Sequence, residues 1–141
     1  MSSRLRQLVQ ERKIMKARTT REMIIKEIRA AQSDLDEAST SLYRGNLKWA
    51  TIQGYYSMFH SARSLLYSKG YREKSHSALS VAIEELFSDD LEASMVSAFR
   101  NAMYLRQEAD YGLTFSRDGA TQTIEDAALF LAETKEILKV K

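Results

Sequence analysis

Residues 19–45 read TTREMIIKEIRAAQSDLDEASTSLYRG, and their spacing decides the fold class. Ile24, Ile28, Ala31, Leu35, Ala38 and Leu42 follow one another in steps of four and three. Such steps place apolar side chains on one face of an α-helix, whereas a half-buried strand needs strict alternation. Thr19 followed by Glu22 has the capping-box spacing at the start, and Gly45 suits the left-handed position that ends a helix.

The same reading extends outward. Residues 4–17 are expected to form a weaker first helix around Leu5, Leu8, Val9 and Ile14. Asn46 opens a helix to Gly70 whose core face is Leu47, Ala50, Gly54, Tyr55, Met58, Ala62, Leu65 and Leu66. Ser75 caps a shorter one through Leu79, Ile83, Leu86 and Phe87. Asp89 with Glu92 starts a fifth helix, which carries Leu91, Met95, Ala98, Ala102, Leu105 and Ala109 to Gly112. The last runs from Thr121 to about Lys139, with Ile124, Ala128, Leu131 and Leu138 facing inward. Helices joined by short loops pack antiparallel. The expected fold is all-α, an up-and-down antiparallel helical bundle of about five to six helices without a sheet. Residues 1–18 form a basic arm or short helix, and residues 19–141 the bundle.

Composition narrows the chemistry. There is no cysteine, so disulfides and thiolate chemistry are excluded, and no proline interrupts a helix. No apolar run approaches the roughly 20 residues of a membrane span, and the N-terminus lacks the apolar core of a secretory signal. A cytoplasmic protein is expected. The net charge of +2 is unevenly spread: residues 1–21 hold seven basic side chains against Glu11 alone, +6 locally, leaving −4 on the rest. The arm is expected to be a solvated, frayed helix; its other reading is contact with phosphates or an acidic partner.

Residues 54–63, GYYSMFHSAR, and Glu73-Lys74-Ser75-His76 contain the two histidines of the chain. Beside the apolar face of the third helix runs a stripe of Trp49, Gln53, Tyr56, His60, Arg63 and Tyr67. It reads as a second packing face, with a dimer interface or a base-stacking, phosphate-holding surface as the sharper alternatives. Lys74 and His76 stand at a helix start, where free N–H groups attract anions. On the fifth helix Arg100, Tyr104, Gln107 and Tyr111 share a row, next to an Arg106–Asp110 pair. The candidate nucleotide or phosphate contacts are therefore Tyr56, His60, Arg63, Lys74, His76, Arg100, Tyr104 and Arg106. Arg63, Lys74 and Arg100 are the best anchors, provided that the bundle gathers them around one cleft. No His-x-x-x-His or Glu-x-x-His unit offers a metal site, and no serine sits in a nucleophile elbow. No catalytic residue, metal or cofactor is assigned.

Tyr55-Tyr56-Ser-Met-Phe59-His60-Ser-Ala62-Arg63, Lys69-Gly70-Tyr71, Lys74-Ser75-His76 and Arg106-Gln-Glu-Ala-Asp110-Tyr111 occur in that order. Together they resemble a small stand-alone HEPN domain (higher eukaryotes and prokaryotes nucleotide-binding), over nearly all of the chain outside the arm. The resemblance implies an all-α bundle that often dimerises and acts on nucleotides or RNA. It also implies a minimal nucleotidyltransferase as partner, as in toxin–antitoxin pairs. Active HEPN ribonucleases resemble one another in an Arg-x(4–6)-His motif on a late helix, used for metal-independent cleavage. Here Arg100-Asn101 match its start, but Leu105, Arg106 and Gln107 stand where the histidine would fall. The expected function is a homodimeric module that binds a nucleotide or RNA and works with a nucleotidyltransferase. The alternatives are a ribonuclease using His60 or His76, and a structural dimer that neutralises a partner by contact.

Overall fold

The computed structural model describes residues 2–141; Met1, the first residue of the arm, lies outside them. Six helices account for most of the chain: α1 (Ser3–Gln10), α2 (Arg21–Tyr43), α3 (Leu47–Ser68), α4 (His76–Leu86), α5 (Ala93–Asp110) and α6 (Arg117–Leu138). The long helices α2 and α3 form an antiparallel pair, and α6 packs against both. On its other sides α3 meets α5 and the short α4, so α3 is the central element. Fourteen of its residues are buried accordingly.

Caps fix the helix starts. Thr20, Ser75 and Ser116 accept hydrogen bonds from the backbone N–H groups of Met23, Ala78 and Gly119. Thr19 is therefore displaced from its expected capping role by Thr20, and its hydroxyl instead donates to the Tyr67 carbonyl at 2.7 Å. Asp89 does not open α5 either; Glu92 is the N-cap residue there, without a side-chain bond. α6 begins at Arg117 rather than Thr121, because Ser116 caps it. Along α6 the inward residue is Ala127, fully buried, and the expected Ala128 is exposed. Gly45 and Gly70 adopt φ of +77° and +78°, the left-handed turn that ends α2 and α3 at little steric cost.

Two short strands correct the expectation of a helix over 4–17 and of no sheet. α1 stops at Gln10, Arg12 takes φ of +59°, and the chain continues as β1 (Ile14–Lys16). β1 pairs antiparallel with β2 (Tyr71–Glu73), in the register Ile14 opposite Glu73 and Lys16 opposite Tyr71. The physical reason is burial: Ile14 is wholly buried and Leu5 nearly so, both in the main core with Leu79 and Ile83. The arm is thus docked rather than frayed, and Arg4 adds an ion pair to Glu84 at 2.8 Å.

The core is aromatic at its centre, where Tyr55 stacks on Phe99 with ring centroids 5.9 Å apart and Phe99 leans on Phe130 at 5.7 Å. Gly54 lets α6 approach α3: a Cβ there would lie 2.9 Å from Thr123 Cγ2. Thr123 cannot swing aside freely, since its hydroxyl donates to the Gly119 carbonyl at 2.8 Å. Gly54→Val should therefore cost about 1–3 kcal/mol by overpacking, read as a lower midpoint in urea unfolding. An unchanged midpoint would mean that the α3–α6 contact is looser than described.

Candidate functional site

The polar stripe of α3 divides between two roles. Glu27, Asp34 and Ser41 recur every seventh residue along α2 and meet it from the other side. Ser41 contacts Gln53 at 2.7 Å, His60 Nδ1 lies 2.6 Å from Glu27, and His60 Nε2 lies 3.5 Å from Asp34. Burial raises the Asp34 carboxyl above its ordinary 3.8. Arg63 grips Glu73 at 2.7 Å and approaches Glu27 at 3.6 Å. Around His60 and Arg63 the stripe is thus a packing seam between α2, α3 and β2, which agrees with the blander of its readings. Trp49, at its start, is 53% exposed.

The second role begins at Phe59. Its ring carries the Arg63 guanidinium 4.4 Å from its centroid and stacks with the His76 imidazole at 4.3 Å. His76 is the first residue of α4, set there by the Ser75 cap. The Tyr55 hydroxyl makes a short hydrogen bond to His76 Nδ1. Burial raises the Tyr55 phenol far above its ordinary value, although the charge of Arg106 and its hydrogen bond to the phenol oppose this. The phenol therefore keeps its proton, and when it donates that proton to Nδ1, His76 carries its own hydrogen on Nε2.

Arg106 completes the arrangement. It is only 8% exposed, and its guanidinium lies over the rings of Tyr55 at 5.1 Å and Tyr56 at 5.7 Å. Its nearest carboxylate, on Asp110, is 3.8 Å away, and its Nε has no hydrogen-bond partner. Arg106 and His76 line an open cleft of about 590 Å³ together with Ser77, Met103, Gln107, Tyr111 and the carboxylate of Glu108. A neutral imidazole, an under-partnered guanidinium and the N-terminus of α4 therefore share one hollow.

The remaining candidates lie elsewhere. Arg100 is turned to Glu84 at 3.1 Å, on the side where α1 packs against α4. Tyr104 is 58% exposed and borders a smaller hollow of about 170 Å³ with Thr51, Leu105 and Phe115. Lys74 is exposed, two residues before His76. The expected gathering of Arg63, Lys74 and Arg100 around one cleft does not occur, because Glu73 and Glu84 claim the two arginines. Sequence reading left out Glu27 and Glu73, which hold His60 and Arg63; the seven-residue recurrence on α2 was the available signal for Glu27.

A family model described as HEPN domain matches residues 26–141. The chain belongs to the HEPN domain family. It is 32% identical over 114 residues to a UPF0332 protein of Archaeoglobus fulgidus, covering 77% of this chain and 89% of that protein. It is 33% identical over 131 residues to "Putative toxin MJ0142" of Methanocaldococcus jannaschii, covering 89% and 88%. The crystal structure of TT1696 from Thermus thermophilus superposes with a TM-score of 0.71 at 20% identity, covering 80% of this chain and 96% of that one, which supports the same fold. No helix among the described residues is long and apolar enough to cross a membrane.

In this HEPN domain the arginine and histidine of the cleft come from different helices, Arg106 on α5 and His76 on α4. Burial first, and then the Arg106 charge, hold the His76 imidazole below its ordinary 6.5, while Glu73 opposes them. The native state then binds fewer protons than the unfolded chain around that pH. The stability gained from His76 is complete above the unfolded value and is lost as pH falls through 6.5 toward the folded value. Asp34, raised by burial, acts in the opposite sense at lower pH. Urea midpoints of the wild type should therefore fall between pH 7 and pH 5, and His76→Gln should flatten that decline. Parallel pH profiles for the two proteins would show that His76 is not protected from protonation.

Proposed function

We propose that this HEPN protein is a toxin-type binding module that holds a phosphate group of a nucleotide or RNA between His76 and Arg106. The observation that carries this reading is the state of Arg106. A guanidinium that lines the cleft and has its nearest carboxylate 3.8 Å away keeps terminal N–H donors for an anion, and charge-assisted bonds to such a group are the strong ones. His76, as the Nε2–H tautomer, adds a neutral donor, and the rings of Tyr56 and Tyr111 are near enough to the cleft for base stacking. The name of the Methanocaldococcus jannaschii relative supports the toxin-type role. A minimal nucleotidyltransferase is the partner that this reading expects, and a homodimer its own assembly.

Binding is favoured over RNA cleavage by the Tyr55 bond. A general base for the 2′-hydroxyl needs a free imidazole lone pair. With Tyr55 as the donor, the Nδ1 lone pair of His76 is occupied and Nε2 carries the hydrogen; in the other tautomer Nδ1–H points at the phenol and only Nε2 is free. The test is calorimetric titration of the purified protein with AMP and ATP, beside an RNA cleavage assay. Saturable nucleotide binding with intact RNA is expected. Metal-independent cleavage abolished by His76→Ala would replace this reading with the ribonuclease. Affinity purification from the native cell checks the partner: a nucleotidyltransferase should be recovered.

A further inference from the structure

The hairpin of β1 and β2 carries a cluster of cations that neither the core nor the cleft uses. The Lys74 N–H donates to the Lys13 carbonyl at 2.8 Å, which extends the ladder one step beyond Ile14 and Glu73. Lys13 and Lys74 therefore stand directly opposite each other. Side chains alternate across a sheet, so Lys13, Lys74 and the Met15–Arg72 pair share one face, opposite to that of Ile14 and Glu73. Ile14 is buried and Glu73 engages Arg63 on the inner face. On the outer face Lys13, Arg72 and Lys74 are all exposed. Glu11 touches Lys13 at 3.2 Å; neither Arg72 nor Lys74 has an ion pair among the described residues.

Like charges placed directly opposite in an antiparallel pair are destabilising. Three cations on one face of so short a hairpin weaken the strand pairing that, beside buried Leu5 and the Arg4–Glu84 ion pair, ties the arm to the bundle. Such an arrangement is useful where a polyanion neutralises it. From Lys74 the chain bends through Ser75 into α4, so the hairpin face ends two residues from His76, roughly 7 Å of chain. We propose that the outer face of the β1–β2 hairpin is a track for the phosphate backbone of single-stranded RNA whose end or turning phosphate occupies the His76–Arg106 cleft. The proposal rests on the reading of that cleft as a phosphate site and adds a second, separate contact. It favours RNA over a mononucleotide, because a mononucleotide in the cleft leaves the three cations unused.

The test compares the wild type with a Lys13→Gln, Arg72→Gln, Lys74→Gln triple variant and with a Lys13→Arg, Lys74→Arg control. Probes are AMP and labelled single-stranded RNAs of about 5 and about 15 nucleotides, a range that spans common site sizes, across a salt series. The triple variant should bind the longer RNA more than tenfold more weakly. Its salt dependence should be shallower by about two in log–log slope, since each phosphate left without its cation removes about 0.7. AMP affinity should be unchanged and the arginine control should bind as the wild type does. Longer RNA bound equally by wild type and triple variant overturns the proposal. So does polyglutamate that binds as tightly as RNA and is lost in the same variant, since the face would then suit an acidic protein. If AMP fails to bind the wild type while the triple variant still loses the longer RNA, the cleft reading falls and the hairpin track stands. All of the substituted side chains are exposed; Lys74→Gln alone, expected to weaken binding of the longer RNA about threefold, serves if the triple variant melts early.

Discussion

Arg106→Ala should weaken nucleotide binding by more than tenfold, at least about 1.4 kcal/mol, while leaving the fold nearly as stable as before. The two halves of that expectation have one cause. The guanidinium is buried over Tyr55 and Tyr56, yet its Nε is unpaired and Asp110 is only loosely approached. Removing it forfeits cation–π contacts and packing, but it also relieves the cost of a buried charge with incomplete partners. In the complex the same group would supply charge-assisted hydrogen bonds, worth about 1.5–3 kcal/mol. Arg106→Lys should fall between the two, because an ammonium keeps the charge and loses the planar fork. Calorimetric titration with AMP gives the affinity, and thermal melts of the free proteins give the stability. Wild-type affinity in Arg106→Ala would remove the cleft from consideration.

The largest effect on stability is expected at the arm. Ile14→Ala should cost about 2–5 kcal/mol, the usual range for deleting a buried isoleucine side chain. That is a large share of the roughly 5–15 kcal/mol that stabilises a typical domain. Ile14 is fully buried among the residues that also hold α4, and the strand that carries it pairs with the strand leading to His76. Loss of that anchor should also reduce nucleotide affinity, since Glu73 and Lys74 lose their partner strand. Lys16→Ala, exposed on the same strand, should stay within about 0.5 kcal/mol of the wild type. Urea midpoints of both variants decide it. A cost below about 1 kcal/mol for Ile14→Ala, well under the usual range, would return the arm to the frayed segment that its charge suggested.

The helices were legible because their signals are local. Steps of four and three, the caps at Ser75 and Gly45, and the absence of proline each act within a turn or two of chain, and they specify a helical bundle wherever the chain goes. The arm misled for the same reason. Leu5, Leu8, Val9 and Ile14 fit a helical row, but Ile14 gains more by entering the core through a strand, with Arg12 in the left-handed region as the break. The candidate site divides along the same line. His76 stood out as one of two histidines at a helix start, whereas the loose tie between Arg106 and Asp110 is not visible in an i,i+4 spacing. Arg63 and Arg100 looked equally free and are instead claimed by Glu73 and Glu84. By itself, then, the sequence determined the helical class, most helix ends and the family motifs. Only the tertiary structure decided which arginine faces a cleft and which is neutralised, because a charge is defined by the partners that folding brings to it from distant parts of the chain.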